Sequence, residues 1–203
     1  GGKSPHVVLP DVEDLDRIAD VITTDIFRNQ GQVCSAGSRL LAHENIAPNL
    51  VARIRQRAEA IVPGDPLDAD CQFGPLASEA QLKRVLSYIE RGKKDGARLI
   101  HGGEKCRKDS GGFFLQPTVF TDVDEHSCLA TEEIFGPVLS ITIFRDEAEA
   151  VRLANATPYG LAATVWTRDV GLGEAMAHRI VAGVVTVCND CSPGTGGGMA
   201  LAS

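Results

Sequence analysis

The segment VLSITIFRDEAEAVRLANATPYGLAATVWT, residues 138–167, places two largely apolar runs on either side of a helical pattern. The runs are VLSITIF at 138–144 and AATVWT at 162–167, and the pattern between them extends from Ala148 to Asn155. Largely apolar runs of this length are typical of strands that are buried on both faces of a parallel sheet. The segment therefore predicts two parallel strands that are joined through a helix.

The same arrangement recurs along the chain. A second helical pattern, from Leu172 to Ile180, separates AATVWT from the apolar run GVVTVC at 183–188. Three more short runs come earlier: RLLAH at 39–43, ARLI at 97–100 and PTVF at 117–120. Strands that alternate with helices predict an α/β fold, with a three-layer α/β/α arrangement and a mostly parallel sheet.

Three helices are predicted upstream by apolar residues at helical spacing. Asp11 is predicted to cap the first helix, and Ser78-Glu-Ala-Gln81 is a capping box for the third, which is expected to end near Gly92 or Gly96. The expected buried faces are Leu15, Ile18, Ala19, Ile22 and Ile26 in the first helix; Ile46, Leu50, Ile54, Ala58 and Ile61 in the second; and Leu82, Val85, Leu86 and Ile89 in the third.

Composition limits the class of protein. The chain has 203 residues, 43% of them hydrophobic, which is enough for one domain with a sizeable core. Its net charge is −7 and its basic residues are scattered, so a nucleic-acid surface is not expected. No apolar run approaches the ~20 residues of a membrane span, and the N-terminus lacks the shape of a signal peptide. The six dispersed cysteines do not suggest a disulfide framework, which indicates reduced thiols and a cytoplasmic location.

Cys34 lies in the motif FRNQGQVCSAGSR, residues 27–39, after the first helical pattern ends. One interpretation is a small core cysteine, the usual state of a lone thiol. The other is a nucleophile, because its neighbours are small or polar and a helix beginning near Ser35 would direct backbone amides at the thiol and at an oxyanion. The five histidines are scattered and none is an evident partner: His6, His43, His101, His126 and His178.

Five segments, taken in order, resemble the aldehyde dehydrogenase superfamily over about residues 1–188. FRNQGQVCSAGSR is similar to the cysteine motif of that family, EEIFGPVL at 132–139 to its second hallmark, and GGKSP at 1–5 to the end of its third. NATPYGLAATVWTRD at 155–169 and FGPL at 73–76 are also similar to family segments. The ordered set is much more specific than any single match.

The resemblance implies roles for individual residues. Cys34 matches the nucleophile that adds to an aldehyde, and its backbone amide matches half of the oxyanion hole. Glu133 matches the carboxylate that binds ribose hydroxyls beside the nicotinamide of NAD or NADP, and Phe135 matches the aromatic residue near that nicotinamide. Gln81 and Arg84 fall where the family sometimes contacts the cofactor. A small-molecule aldehyde is the implied substrate, and a homo-oligomer is the implied assembly.

The resemblance also implies that parts of the enzyme lie outside this sequence. The family's general-base glutamate stands two places before GGKSP, and the asparagine of the oxyanion hole and the Rossmann-like domain lie further upstream. We therefore expect residues 1–190 to form a catalytic domain that is inactive alone, residues 191–203 to form a flexible glycine-rich tail, and the cofactor-binding domain to be absent from this chain. GQVCSAGSRLL and the ending CND most resemble family members that act on γ-glutamyl-γ-aminobutyraldehyde and related amino-aldehydes.

Two other functions remain open from the residues alone. Cys34 is compatible with a cofactor-independent esterase or thioesterase, although such a hydrolase has no use for a ribose-binding carboxylate at Glu133. The chain is also compatible with an inert unit that only forms oligomers. Cys188-Asn-Asp-Cys191 is a CxxC pair, but one pair without a second pair or a nearby histidine is a weak signal, so no metal site is predicted.

Overall fold

A computed structural model of the chain describes residues 1–189 and 198–202. The strands in these residues are β1 (Pro5–Val8), β2 (Arg39–His43), β3 (Arg98–His101), β4 (Thr118–Thr121), β5 (Val138–Phe144), β6 (Ala162–Trp166), β7 (Val184–Cys188) and β8 (Gly198–Ala202). The α-helices are α1 (Leu15–Phe27), α2 (Ala47–Ala60), α3 (Glu79–Lys94), α4 (Cys128–Thr131), α5 (Glu147–Ala154) and α6 (Val170–Ala177). Short 3₁₀ helices occur at Arg28–Gly31 and Lys108–Ser110.

The strands form one sheet in the order β3-β4-β5-β2-β1-β6-β7-β8. Neighbours from β4 to β7 in this order run parallel, whereas β3 pairs antiparallel with β4 and β8 pairs antiparallel with β7. Parallel neighbours need long connections, and helices provide them here. The predicted α/β fold with a mostly parallel sheet is therefore confirmed.

Successive strand residues face two different helical layers, as the period of two in a strand requires. Val8 and Leu40 pack in a core with α1 and α2 on one face of the sheet. The adjacent residues, Val7 and Leu41, pack in a second core with α5 and α6 on the opposite face. Helices α3 and α4 cover the β4–β5 end of this second face. The predicted three-layer arrangement is confirmed.

The first helix begins later than its predicted cap. Its first residue is Leu15, and the N-cap is Asp14, whose carboxylate accepts a hydrogen bond of 2.9 Å from the Arg17 amide. The prediction that Asp11 caps this helix is wrong, because Asp11 accepts hydrogen bonds from the loop between β6 and α6, including one of 2.8 Å from the Thr167 hydroxyl. Asp11 therefore joins the end of β1 to its neighbour in the sheet.

The predicted helical faces are buried, with Leu15, Ile61 and Leu86 only half-buried. Helix α3 ends at Lys94, and Gly96 follows in the left-handed conformation at φ +90°, a conformation that favours glycine. The predicted end of this helix is therefore confirmed. None of the helices in the described residues is long and apolar enough to cross a membrane.

The predicted glycine-rich tail, residues 191–203, falls partly outside the described residues, as does Cys191 of the CxxC pair. Its described part, Gly198–Ala202, forms β8, and the pairing runs from Val184 opposite Ala202 to Cys188 opposite Gly198. A strand thus occurs where the sequence predicts no regular structure. The reason is that the last parallel strand leaves one edge of N–H and C=O groups unpaired, and a strand that pairs with this edge satisfies them.

Candidate active site

Cys34 is exposed, in the loop that joins α1 to β2 at the amino ends of the central parallel strands. The 3₁₀ turn Arg28–Gly31 precedes it, and Asn29, Gln30 and Gly31 are left-handed, with φ of +49°, +55° and +68°. Non-glycine residues keep this strained backbone only where the surrounding structure imposes it, and such strain is common at functional sites. The exposure of the thiol excludes the interpretation of Cys34 as a core cysteine.

No helix begins at Ser35, and the expectation of one is wrong. Cys34 and Ser35 form a turn, in which the Ala36 amide donates a hydrogen bond of 3.2 Å to the Val33 carbonyl. The chain must then enter β2 at Arg39, where pairing with β1 begins, and this leaves too few residues for a helix. The amides near the thiol are therefore those of a turn.

Glu133 and Phe135 lie in the loop between α4 and β5. The Gly2 amide donates a hydrogen bond of 2.8 Å to Glu133 Oε1, and a Cβ on Gly1 would lie only 2.2 Å from Glu133 Oε2. Phe135 is left-handed, with φ of +59°, and is 38% exposed. This loop therefore presents a carboxylate and an aromatic ring beside the first two residues of the chain.

Two close glycine contacts bring the two loops together. A Cβ on Gly2 would lie 2.3 Å from the Cys34 carbonyl oxygen, so this glycine passes between Cys34 and Glu133. A Cβ on Gly31 would lie 2.2 Å from the Gly136 carbonyl oxygen, so the loops also contact each other directly. Only glycine permits either approach. The loops that carry Cys34, Glu133 and Phe135 therefore meet on the amino edge of the sheet.

Helix α3 holds the Glu133–Phe135 loop through its backbone. Gln81 Nε2 donates hydrogen bonds to the carbonyl oxygens of Ile134 and Phe135, at 3.1 and 2.6 Å. Arg84 Nη2 donates one of 2.9 Å to the Glu133 carbonyl. The Gln81 side chain is thus engaged with the loop, and only the Ser78 half of the predicted capping box forms, at 3.1 Å. Both side chains contact the loop that carries the predicted cofactor residues.

A second group on α3 fixes the start of this loop. The guanidinium groups of Arg84 and Arg91 each lie 5.2 Å from the centre of the Tyr88 ring. The Tyr88 hydroxyl and Arg91 donate hydrogen bonds of 2.8 and 2.9 Å to the two carboxylate oxygens of Glu132. These bonds, from Arg91 first, lower the pKa of Glu132, whereas burial and the bond to Glu132 raise the pKa of Tyr88. Tyr88 and Arg91 were not singled out from the sequence. Their spacing of four and three residues along the helix from Arg84 is the sequence signal that could have identified this group.

Two cationic side chains are buried beneath the site. Arg39 donates hydrogen bonds of 2.8–2.9 Å to the carbonyl oxygens of Lys3, Leu153 and Ala154, and burial lowers its pKa to about 10. Lys3 is 1% exposed, and its Nζ has no hydrogen-bond partner among the described residues. Burial, and then the charge of Arg39, lower the pKa of Lys3 to about 7, against the opposing effect of acidic groups that include Glu133. The sequence contains no signal of this burial.

A cavity of about 690 Å³ lies at the opposite edge of the sheet, where β1 and β5 end and α5 and α6 begin. Asp11, His43 and Leu172 are among its lining residues, and Cys34 is not. In the part of the chain that the structure describes, no group of three or more His, Cys, Asp or Glu side chains could hold a metal ion. This cavity is therefore separate from the candidate site.

Comparisons with known proteins agree on one family. The sequence model of the Aldehyde dehydrogenase family matches residues 1–199. The betaine aldehyde dehydrogenase of Cereibacter sphaeroides is 46% identical over 182 residues, which cover 90% of this chain and 36% of that protein. The chain thus spans well under half the length of the curated relatives that it matches.

Solved structures share the fold. The γ-glutamyl-γ-aminobutyraldehyde dehydrogenase from Burkholderia cenocepacia J2315 is 47% identical, with a TM-score of 0.88 over 95% of this chain and 39% of that one. An indole-3-acetaldehyde dehydrogenase in complex with NAD+ is 42% identical, with a TM-score of 0.91 over 95% of this chain and 39% of that one.

Proposed function

Because the chain belongs to the aldehyde dehydrogenase family, we propose that it is the catalytic domain of an NAD(P)-dependent enzyme that oxidises an aldehyde to a carboxylic acid. The observation that supports this most directly is the meeting of the Cys34 loop with the Glu133–Phe135 loop around Gly2. This meeting of the loops supports a shared site for the Cys34 thiol, the Glu133 carboxylate and the exposed Phe135 ring. Each has a separate part in the reaction.

Cys34 supplies the nucleophile. Its thiolate sulfur forms a bond to the aldehyde carbon, and the carbonyl electron pair moves to oxygen, where the Cys34 amide stabilises the oxyanion of the thiohemiacetal. Collapse of this oxyanion expels a hydride and leaves a thioester on the sulfur. Attack by water then releases the carboxylic acid and restores the thiol. A nicotinamide held by Glu133 and Phe135 would supply the acceptor for this hydride.

Glu133 and Phe135 fit the cofactor by their chemistry. Glu133 accepts one hydrogen bond from the Gly2 amide, which orients the carboxylate and leaves further lone pairs for two ribose hydroxyls. Phe135 is a large apolar side chain that is 38% exposed, so its ring offers a flat surface against which the nicotinamide ring can pack. These groups and Cys34 belong to two loops that are joined by glycine contacts, which supports a common role in binding.

The working enzyme needs parts beyond these residues. GGKSP is similar to the end of a family motif, and in that motif the general-base glutamate stands before these residues. In the family that the chain resembles, the dinucleotide-binding domain is a separate unit. An amino-aldehyde substrate is supported by the relatives named for betaine aldehyde and for γ-glutamyl-γ-aminobutyraldehyde. The proposal also includes a homo-oligomer, which the family resemblance implies. It includes a cytoplasmic location, which the dispersed cysteines indicate.

The role of Cys34 is tested by Cys34→Ala in the longer protein that carries this chain. We expect turnover of an amino-aldehyde with NAD to fall at least about 1000-fold, because no other group replaces the nucleophile. The matched control is Cys106→Ala, which removes a half-buried thiol that has no part in the proposed reaction. Retained dehydrogenase activity in Cys34→Ala contradicts the proposal.

The 203 residues alone are expected to form no NADH from an aldehyde, because they lack the general base and the dinucleotide-binding domain. The measurement is absorbance at the NADH band with purified chain, NAD and aldehyde. Measurable NADH overturns this expectation. Cleavage of a p-nitrophenyl ester without nucleotide, abolished by Cys34→Ala, would favour the hydrolase instead.

A further inference from the structure

Asp25, near the end of α1, joins three elements of the molecule. Its Oδ2 accepts a hydrogen bond of 2.8 Å from the Gly37 amide, three residues after Cys34. The same oxygen lies 3.0 Å from Nε2 of His6, a buried residue of β1. The carboxylate therefore connects the loop of the candidate nucleophile to a helix and to the central strand.

Trp166, on the neighbouring strand β6, determines which nitrogen of His6 carries the proton. The indole nitrogen Nε1 donates a hydrogen bond of 3.2 Å to His6 Nδ1. An indole N–H can only donate, so Nδ1 acts as an acceptor and Nε2 bears the proton. His6 Nε2 therefore donates to Asp25, and both ring nitrogens are satisfied in the neutral form.

The loop backbone packs directly on this pair. A Cβ on Gly37 would lie 2.2 Å from His6 Cδ2 and Nε2, and 2.8 Å from Asp25 Oδ2. No side chain fits in that space without a shift of the ring. The Gly37 backbone cannot move toward β1, and moving away breaks its bond to the carboxylate.

The charge of Asp25 is stabilised where it lies. Burial acts to raise the pKa of this carboxyl, but the hydrogen bonds from His6 and the Gly37 amide, with the charge of Arg28, lower it below its ordinary value. Asp25 is therefore ionised at neutral pH. A hydrogen bond to a charged acceptor is stronger than one between neutral groups, which suits a carboxylate that holds a loop.

We propose that Asp25 and His6 are positioning residues for Cys34, which fix the loop through the Gly37 amide so that the thiol and the Cys34 amide face the aldehyde. This inference rests on the proposed function of Cys34. Neither side chain has to touch the reacting atoms. A displacement of about 1 Å in a reacting group can cost about 100-fold in rate, so a bond three residues away is close enough to matter.

The experiment compares three variants of the longer protein. Asp25→Ala removes the acceptor, Asp25→Asn keeps an oxygen for the Gly37 amide, and Asp11→Ala is the matched control. Asp11 also accepts several loop hydrogen bonds, but at the opposite edge of the sheet. The readouts are kcat, KM for NAD, the midpoint of thermal unfolding, and amide hydrogen exchange over residues 35–38.

We expect Asp25→Ala to lower kcat about 10- to 100-fold with KM for NAD unchanged, and to speed exchange over 35–38. Asp25→Asn should restore much of the kcat and much of the protection from exchange over residues 35–38. Asp11→Ala should lower only the midpoint of thermal unfolding. Equal effects of Asp25→Ala and Asp11→Ala on kcat overturn the proposal, as does unchanged exchange in Asp25→Ala. If Asp25→Ala does not fold, the same exchange and kcat measurements on Asp25→Leu, which keeps the bulk of the side chain without an acceptor oxygen for the Gly37 amide, decide, and wild-type values in that variant overturn the proposal.

The Cys34→Ala variant separates the two claims. If it retains turnover, the proposed function fails, whereas exchange over 35–38 still decides whether Asp25 holds the loop. If Cys34→Ala is inactive and Asp25→Ala has wild-type kcat, the function stands and the positioning role is overturned.

Discussion

Lys3 lies buried beneath the candidate site, and its amine has no hydrogen-bond partner among the described residues. Its pKa falls from 10.5 to about 7 on folding, mainly through burial. Between these values the unfolded chain binds more protons than the folded one, so this residue makes stability rise with pH. Below about pH 7 the full cost of burying the charge applies, up to roughly 5 kcal/mol.

Lys3→Met should therefore stabilise the chain most at low pH, because it keeps the length of the side chain and removes the charge. We expect its free energy of unfolding to exceed that of the wild type at pH 6, and the difference to shrink toward pH 10. Urea unfolding at several pH values measures this. Lys108→Met, at an exposed lysine, is the control. A difference that is constant with pH would show that the charge of Lys3 is not the cause.

At the scale of elements, α3 matters because its side chains hold three consecutive carbonyl groups of the Glu133–Phe135 loop. Gln81→Ala removes two of these hydrogen bonds, each worth about 1 kcal/mol. The loop carries the groups proposed to bind NAD, so we expect the dissociation constant for NAD to rise about 3- to 10-fold in the longer protein, with a small effect on kcat. Lys83→Ala, at an exposed residue of the same helix, is the control. Titration calorimetry decides, and equal affinity in the two variants contradicts this role.

At the scale of the whole molecule, the sheet ends in β8, which covers the edge of β7 along five residue pairs. Deleting residues 190–203 would expose that edge, and an uncovered strand edge is a template for pairing with another chain. We expect the shortened chain to self-associate at micromolar concentration, measured by light scattering. The same deletion with Thr186→Lys, which adds a charge to the edge strand, should stay dispersed. A monomeric shortened chain would mean that β8 does not protect the sheet.

The parts of the fold that the sequence predicts are those with local causes. Apolar runs and helical spacing indicated the strands and helices, because burial on a sheet or a helix face repeats with a fixed period. The motif around Cys34 and the segment with Glu133 and Phe135 predicted the chemistry through their resemblance to a family. The cap at Asp11 was wrong because its carboxylate binds the loop after β6. The helix at Ser35 was wrong because pairing of β2 with β1 begins at Arg39.

The sequence by itself determined the class of fold and which residues carry reactive groups, since both depend on neighbours along the chain. Only the tertiary structure decided that Gly2 and Gly31 let two distant loops meet, that Asp25 holds Gly37, and that Lys3 is buried without a partner. These are contacts between residues far apart in sequence. Their geometry depends on the packing of the whole sheet, which leaves no periodic signal in the chain.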